Sequence, residues 1–307
     1  MVCFDGKTFK ALSGWGNQFD YAVLAFGDNE ISKTICSMAT VALNAAKSYY
    51  EEKHDRGSFV KDIISDNIML GDIYMRAKEL RVATDVSRGI FAIRALQKGE
   101  SVPTETIQTM FPDRQNDFVL SVGEGDVVLI RQLPDGAGSK ELNKTAAQIE
   151  EALRVNGEST VVVGMGTIAM HLRDLAKSYK EAPIAIEVGK VFDTEKYIIN
   201  YENLGIGRLI YQLPTTLCEM FLQEVFKKNP IDALDKETLF TIHKFFENNL
   251  NVSETARKLF VHRNTLVYRL EKIKKLTGLD LREFDHAIIF KVALMVKKYL
   301  TANPVKY

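Results

Sequence analysis

Polar side chains near the C-terminus recur at a spacing that suits contact with the edges of DNA bases. At about 100° per residue, Asn264, Tyr268 and Lys275 share one side of a helix, and Leu266 and Leu270 share the other. Asparagine can pair bidentately with adenine and arginine with guanine, whereas lysine and threonine can hold phosphates. We therefore predict the following DNA contacts: His262, Arg263, Asn264, Thr265, Tyr268, Arg269, Lys272 and Lys275.

This helix is the second of a closely spaced pair. Asn251 followed by Glu254 is a variant of the capping box, which predicts a short first helix that ends near residue 260. The second helix starts around residue 262 and runs to residue 277, and Gly278 ends it. Two helices joined by so tight a turn are typical of a helix-turn-helix. The alternative is an ordinary helical hairpin whose second helix is amphipathic for packing alone.

Two further helices must hold this pair in place. One is predicted over 238–250 and one over 285–300, and Ala256 is the small residue at which the paired helices can approach closely. The predicted core residues on these two helices are Leu239, Ile242, Phe246, Ile288, Ile289, Val292, Val296 and Tyr299.

The overall composition excludes several classes of protein. The 307 residues are 46% hydrophobic and 26% charged, which is ordinary for a soluble globular chain and excludes a mostly disordered one. Uncharged stretches such as 34–46 and 159–172 fall short of the roughly 18 apolar residues that a membrane span needs. The N-terminus lacks the features of a signal peptide, and the three cysteines form no CxxC pair. We predict a cytoplasmic protein.

Charge is unevenly distributed along the chain. Lys plus Arg and Asp plus Glu both number 40, yet residues 238–307 carry 13 basic and 6 acidic residues, a net charge of +7. The first 237 residues therefore carry a net charge of −7. A basic tail suggests contact with a polyanion, although a solvated lysine-rich helical face would have the same composition.

The middle of the chain alternates between strand and helix patterns. Strands are predicted over 89–95, 117–122, 126–131 and 160–163, and helices over 140–155 and 171–182. This order predicts a small α/β, ferredoxin-like domain. Residues 227–232 are the predicted linker to the helical region that follows.

The N-terminal region contains a predicted strand over 21–26 and then a helix with a heptad repeat. Apolar residues recur at spacings of 4, 3, 4, 3 and 4, which is the minimum pattern for a coiled coil. These residues are Ile31, Ile35, Met38, Ala42, Ala45 and Tyr49. The alternative is a long amphipathic helix that packs on its own domain. The residues before it are too few for a sensor core, so we interpret this region as the tail of a larger or truncated sensor domain.

The stretch LFVHRNTLVYRLEKI at 259–273 resembles the helix-turn-helix signature of the purine-catabolism and carbohydrate-diacid regulators, the PucR/CdaR family. Upstream, 163–166, 178–182 and 201–205 are similar in order and spacing to the degenerate GGDEF-like domain of that family. The resemblance extends over about residues 80–300. It implies a metabolite-responsive regulator, often an activator of a catabolic operon, that binds operator DNA.

Two enzymatic or ligand-binding alternatives compete with this interpretation. A GGDEF cyclase needs metal-binding carboxylates, but 122–127 reads VGEGDV and the first predicted strand contains no carboxylate. Gly164-x-Gly166-x-x-Ala169, followed 21 residues after Gly166 by Glu187, matches a dinucleotide fingerprint. Against it, Pro183 interrupts the run that should form the next strand, and barely 30 residues remain before the chain becomes helical from residue 204 onward. A signalling protein whose middle domain binds a nucleotide or NAD remains the alternative function.

Together these observations predict an α+β multidomain chain without a catalytic residue, metal site or cofactor. We expect a sensor-domain tail with its connecting helix over 1–70, a degenerate GGDEF-like domain over 71–205, a helical linker over 206–234 and a helix-turn-helix domain over 235–307. The expected partners are double-stranded DNA, a small-molecule effector and a second copy of the chain. A homodimer or higher oligomer is expected because one helix-turn-helix contacts only half of a palindromic operator.

Overall fold

The computed structural model describes residues 1–12, 21–97, 99–113, 115–123, 125–155, 160–192, 195–226 and 234–303, apart from the side chains of 50–55. Two compact units divide the chain. One comprises Met1–Val161 and Met165–Glu181, and the other comprises Val162–Gly164 and Ala182–Tyr307. Mixed sheet and helix in the first part and helices in the last part confirm the predicted α+β class. Within the described residues, no helix is both long and apolar enough to cross a membrane.

The chain begins with a small antiparallel sheet. Strands β1 (Val2–Phe4), β2 (Lys7–Ala11) and β3 (Ala22–Phe26) are adjacent in that order. Phe4 lies opposite Lys7, and Lys7 lies opposite Phe26. The strand predicted over 21–26 is therefore confirmed.

A 35-residue helix, α1 (Glu30–Ile64), follows this sheet. It begins where the Asn29 side chain accepts a hydrogen bond of 2.9 Å from the Ser32 N–H. Cys36 is fully buried, and its Sγ donates to the carbonyl of Thr8 at 3.2 Å, so this face of α1 packs on the sheet. The heptad residues lie elsewhere on the helix: Ile31 is 70% exposed and Met38 is 68% exposed. The helix thus packs on its own domain, as the alternative states, but through the Cys36 side and not through the heptad residues.

After α2 (Leu70–Glu79), the predicted middle-domain strands form one larger sheet. The elements run β4 (Arg88–Ala95), α3 (Thr104–Met110), β5 (Phe118–Val122), β6 (Asp126–Gln132), α4 (Ser139–Val155), β7 (Val161–Met165) and β8 (Ile198–Asn200). The strand order is β5-β6-β4-β7-β8. The β5–β6 hairpin closes at the pair Val122 and Asp126. At the two ends of β7, the Leu96 N–H donates to the Thr160 carbonyl and the Gly166 N–H donates to the Ile90 carbonyl.

The segment after β7 corrects two expectations. Helix α5 spans Leu175–Phe192 and contains Pro183 in its interior, so the proline does not interrupt a strand. Glu187 lies on the same helix rather than at the end of a strand, and its Oε1 is 3.4 Å from Nζ of Lys190.

The two glycines of the dinucleotide-like motif have a packing role. A Cβ atom on Gly164 would lie 2.2 Å from the Ala182 carbonyl oxygen, and one on Gly166 would lie 2.1 Å from that of Ser178. Only glycine therefore fits where the chain passes this close to α5. A short 3-10 turn, Leu172–Asp174, separates these glycines from α5, so no helix begins directly after them as a dinucleotide site requires.

After β8, six α-helices account for most of the described residues of the second unit. They are α6 (Ile206–Tyr211), α7 (Thr215–Val225), α8 (Lys236–Glu247), α9 (Val252–Lys258), α10 (Arg263–Thr277) and α11 (Phe284–Ala302). Ile210 of α6 and Cys218 of α7 share a buried cluster with Val296 and Tyr299 of α11. The predicted linker at 227–232 lies outside the described residues.

The core of the C-terminal helices differs in detail from the predicted set. Ile242 is fully buried as expected, and it packs with Phe245, Phe290 and Ala293. Ile288 is 44% exposed, so its assignment to the core is wrong. Val296 and Tyr299 are buried as predicted, on a face of α11 that also contains Ala287, Phe290 and Ala293.

Candidate nucleic-acid interface

Helix α9 begins with half of the predicted capping box. The Asn251 side chain accepts a hydrogen bond of 3.0 Å from the Glu254 N–H. The reciprocal bond is not formed, because the Asn251 N–H donates to the Asn248 carbonyl at 3.0 Å. Both Glu254 carboxylate oxygens instead lie 2.7 Å from Nη2 of Arg257. The prediction is therefore correct for the N-cap and wrong for the return bond, since the Asn251 N–H has a backbone acceptor and an arginine one turn away binds the carboxylate.

The turn between α9 and α10 is tight and conformationally demanding. Phe260 has a left-handed backbone with φ of +55° and a side chain that is 95% exposed. The Val261 N–H donates to the Ala256 carbonyl at 3.0 Å, which closes the turn. Ala256 itself is 3% exposed and packs in the same core as Leu266. The expectation that Ala256 marks the close approach of the two helices is confirmed.

Helix α10 begins and ends as the sequence predicts. His262 is the N-cap residue, and its carbonyl accepts from the N–H groups of Thr265 and Leu266. Its side chain forms no capping hydrogen bond. At the other end, Gly278 has a φ of +81° and its N–H donates to the Lys274 carbonyl at 2.8 Å.

The two sides of α10 have opposite environments. Leu266 and Leu270 are fully buried and Ile273 is 1% exposed, so this side holds the helix on the core. Tyr268 is 72% exposed on the other side. The other predicted contact residues exposed to solvent are His262, Arg263, Asn264, Thr265, Lys272 and Lys275.

Arg269 and Lys272 differ from the rest of the predicted set, because acidic residues near the start of α8 pair with them. Nη2 of Arg269 lies 2.6 Å from Oε1 of Glu237, and its Nη1 donates to the Thr241 hydroxyl at 3.2 Å. Nζ of Lys272 lies 3.5 Å from Oδ2 of Asp235. A groove of about 260 Å³ lies between α8 and α10 at these pairs. Its lining residues are Glu237, Thr238, Thr241, Thr265, Tyr268, Arg269, Lys272 and Ile273.

The sequence interpretation missed an acidic residue on the exposed face of α10 and the arginine that compensates it. At about 100° per residue, Glu271 projects on the same side as Tyr268 and Lys275. Its carboxylate lies 2.5 Å from Nη2 of Arg282, which follows the helix. The ion pair offsets a negative charge that would repel phosphate. The signal available in the sequence was an arginine four residues beyond the glycine that ends the helix.

Arg282 is itself anchored by a buried carboxylate. The Asp280 side chain is 6% exposed, and its Oδ1 accepts from Nε of Arg282 at 2.8 Å and from the Arg282 N–H at 3.1 Å. Lys274 contacts Oδ2 of Asp280 at 3.1 Å. These bonds, chiefly those from Arg282, hold the pKa of Asp280 far below its usual range. The cluster fixes the C-terminal end of α10 on the core.

Two basic residues of the exposed face remain available to a phosphate or a base. Within the part of the chain that the structure describes, neither Arg263 nor Lys275 takes part in an ion pair. Arg263 is the first residue of α10, and Lys275 lies in its last turn. Cationic groups therefore stand at both ends of the exposed face, with Asn264 and Tyr268 between them.

Two regions of the chain match known domain families. Residues 238–296 match the PucR C-terminal helix-turn-helix domain, and residues 66–188 match the GGDEF-like domain. The fold and these two matches define a helix-turn-helix protein with a GGDEF-like domain. Both matches confirm the resemblance to the PucR/CdaR family that the motifs indicated.

Individual relatives are similar over parts of their lengths. The chain is 28% identical over 158 residues to the purine catabolism regulatory protein of Bacillus subtilis (strain 168), which is 50% of this chain and 29% of that one. It is 28% identical over 190 residues to the carbohydrate diacid regulator of Escherichia coli (strain K12), which is 60% of this chain and 49% of that one. The proline-responsive transcriptional activator PutR of B. subtilis is 30% identical over 144 residues, which is 45% of this chain and 34% of that one. The chain thus spans half or less of the length of these relatives.

Proposed function

We propose that this chain is a sequence-specific DNA-binding transcriptional regulator. The observation that carries the proposal is the exposed polar face of α10, which lies opposite a fully buried apolar face in a PucR-type helix-turn-helix. A recognition helix must be held rigidly by its neighbours while it presents amide, hydroxyl and cationic groups to base edges and phosphates. α10 meets both requirements.

The proposed docking places the N-terminal end of α10 in the major groove. Arg263 and Asn264 then reach base edges, since their side chains provide the bidentate donors and acceptors that distinguish guanine and adenine. Lys275 lies about three turns further along and meets the phosphate backbone. Arg269 and Lys272 approach phosphates only at the expense of their pairs with Glu237 and Asp235.

The regulated pathway is proposed by analogy with the relatives. Their names refer to purine catabolism, carbohydrate diacids and proline, and one of them is called a transcriptional activator. A small metabolite as effector, and activation of a catabolic operon, are consistent with these names. A homodimer suits this role because two helix-turn-helix motifs about 34 Å apart can occupy successive turns of an operator.

We further propose that the GGDEF-like domain acts without catalysis. Its first strand, β4, contains no carboxylate that could hold a metal ion. Asp126, at the hairpin where a cyclase signature would lie, is engaged by Arg94 through bonds of 2.7 to 3.1 Å. The close packing of Gly164 and Gly166 against α5 also argues against the alternative of a dinucleotide-binding domain.

Selection of bound duplexes from a random-sequence pool tests the proposal on the full chain. The expected result is enrichment of a defined sequence, with an affinity that falls steeply as salt rises because bound counterions are released. Asn264→Ala should enrich a sequence with relaxed preference at one position. Retention of no duplex even at low salt would refute DNA binding. Binding of NAD or GTP by the same preparation, with no retention of DNA, would favour the signalling alternative.

A further inference from the structure

The geometry points to a docking surface on α1 for a second copy of this chain. We call this surface the α1 seam and define it as Ile31, Ile35, Met38, Ala42, Ala45 and Tyr49. Two such helices would pair along their seams as a short coiled coil. This interface rests on the proposed function in one respect, since binding to a paired operator requires a dimer. The location of the surface follows from α1 and the N-terminal sheet alone.

The α1 seam is a continuous apolar stripe exposed to solvent. Ile31 is 70% exposed, Ile35 54%, Met38 68% and Tyr49 65%, and the two alanines between them are also exposed. Single exposed apolar residues are common on soluble proteins, whereas contiguous stripes are characteristic of interaction surfaces. The stripe extends over five turns of helix at heptad spacing.

The chain itself cannot cover the seam by rotating α1, because the other side of the helix is fixed to the sheet. Cys36 Sγ donates to the Thr8 carbonyl at 3.2 Å, and Ser32 Oγ donates to the Phe26 carbonyl at 2.8 Å. Ser32, Cys36 and Thr40 are all buried on this side. At about 100° per residue, the seam lies roughly 140° around the helix from Cys36.

Heptad spacing favours another helix with the same repeat as the occupant. Side chains spaced alternately three and four residues apart each insert, as a knob, into a hole formed by four residues of a facing helix. This packing requires the same repeat in the facing helix. Charges beside a seam set the choice of partner, and like charges that face each other there repel an identical chain. The positions beside the seam here are uncharged, so nothing opposes self-association: Thr34, Ala39, Val41, Ala46 and Ser48.

The area available is sufficient for a specific dimer. Each large exposed side chain on or beside the seam presents on the order of 100 Å² of apolar surface, so five of them give roughly 500 Å² per chain. Two chains would then bury about 1,000 Å², the lower limit for a specific protein interface. The two alanines allow the helix backbones to approach and increase the contact beyond this amount.

Light scattering on the full chain tests the inference. The unmodified chain should have twice the mass of one chain. The double variant Ile35→Glu with Met38→Glu should have the mass of one chain at the same concentration, since four buried carboxylates would raise the dimer dissociation constant about 100-fold or more. Both residues are exposed in the single chain, so the helical content of the variant should be unchanged.

Two matched variants complete the experiment. The double variant Ile35→Leu with Met38→Leu keeps the seam apolar and should remain a dimer. Phe4→Glu, on the 74% exposed outer face of the N-terminal sheet, should also remain a dimer. A monomeric unmodified chain, a dimeric glutamate variant or a monomeric Phe4→Glu variant would each overturn the assignment of the seam.

DNA retention, measured separately at low salt, distinguishes this inference from the proposed function. A monomeric glutamate variant that still binds DNA weakly, but loses its preference for paired half-sites, supports both. If the unmodified chain is a dimer but retains no DNA, the proposed function is refuted and the assignment of the α1 seam still stands. A glutamate variant that remains dimeric and binds DNA refutes only the seam.

Discussion

The guanidinium of Arg269 on α10 lies 2.6 Å from the carboxylate of Glu237 on α8. The arginine side chain is 28% exposed and the glutamate 71% exposed, so the pair lies at the rim of the groove between the two helices. An arginine that the sequence places beside the DNA-contacting face is therefore partly neutralised by the domain's own acid. Exposed pairs of this kind contribute little to stability, and a phosphate can compete for the arginine.

This relationship predicts that Glu237→Gln strengthens DNA binding. The change removes a negative charge near the phosphates and frees Arg269, so we expect tighter binding to all sequences and a salt dependence steeper by about one unit. Gel-shift titrations at several salt concentrations measure both quantities. Glu247→Gln is the matched control, since this glutamate of α8 pairs with Lys244 of the same helix at 2.6 Å. Weaker binding by Glu237→Gln would show that the pair orients Arg269 for contact.

Separate roles are predicted for the two ends of the exposed face of α10. Asn264→Ala should cost about 1–3 kcal/mol of binding free energy on the selected operator and relax preference at one base pair. Lys275→Ala should weaken binding to all sequences alike and reduce the salt slope by about one unit. Comparison of each variant on operator and random duplexes separates these effects. If Lys275→Ala altered base preference while Asn264→Ala did not, the proposed orientation of α10 would be reversed.

Several features of α10 could be predicted from local sequence because they depend on local geometry. The spacing of Leu266, Leu270 and Ile273 identifies the buried face, and Gly278 identifies the end that needs a left-handed backbone. The pairing of Arg269 could not be predicted in this way. A helical repeat fixes the direction of a side chain, whereas its partner depends on how α8 crosses α10.

The same limit explains the other differences between sequence and structure. Pro183 was interpreted as a break, yet it lies inside α5, where the tertiary environment outweighs the intrinsic preference of the residue. The return bond of the capping box is not formed, because the Asn251 N–H donates to the Asn248 carbonyl and Arg257 binds the Glu254 carboxylate. Residue spacing alone does not rank such competing partners. Exposure of the α1 seam depends on which face of α1 meets the sheet, and heptad spacing alone leaves that choice open.

Asp280 should stabilise the C-terminal helices in a pH-dependent way. Its folded-state pKa is lowered by Arg282, so its contribution is present above the unfolded value near 3.8 and is lost as the pH falls below that value. Asp280→Asn should lower the free energy of unfolding by about 2–3 kcal/mol at neutral pH. The amide has no negative charge, so its hydrogen bonds with Arg282 and Lys274 are weaker than those of the carboxylate. The difference between variant and unmodified chain should shrink as the pH falls below the unfolded value.

Amide hydrogen exchange in peptides from α10 measures the stability of the C-terminal helices separately from that of the rest of the chain. The solvent-exposed Asp285, in the first turn of α11, provides the control variant Asp285→Asn. It should change protection by much less than Asp280→Asn. Equal effects of the two substitutions would mean that net charge, rather than the buried cluster, accounts for the loss.

Phe260 should be replaceable by glycine with a gain in stability. Its φ of +55° is a conformation that a residue with a Cβ adopts at a cost, and its 95% exposed ring provides no packing in return. Phe260→Gly should therefore stabilise the unit by about 1 kcal/mol after the greater freedom of glycine in the unfolded chain is deducted. Phe260→Ala removes the ring but keeps the strained backbone, so it should leave stability nearly unchanged. Amide exchange protection of α9 and α10 is compared between the unmodified chain and the two variants. A loss of protection in both variants would show that the phenyl ring stabilises the turn.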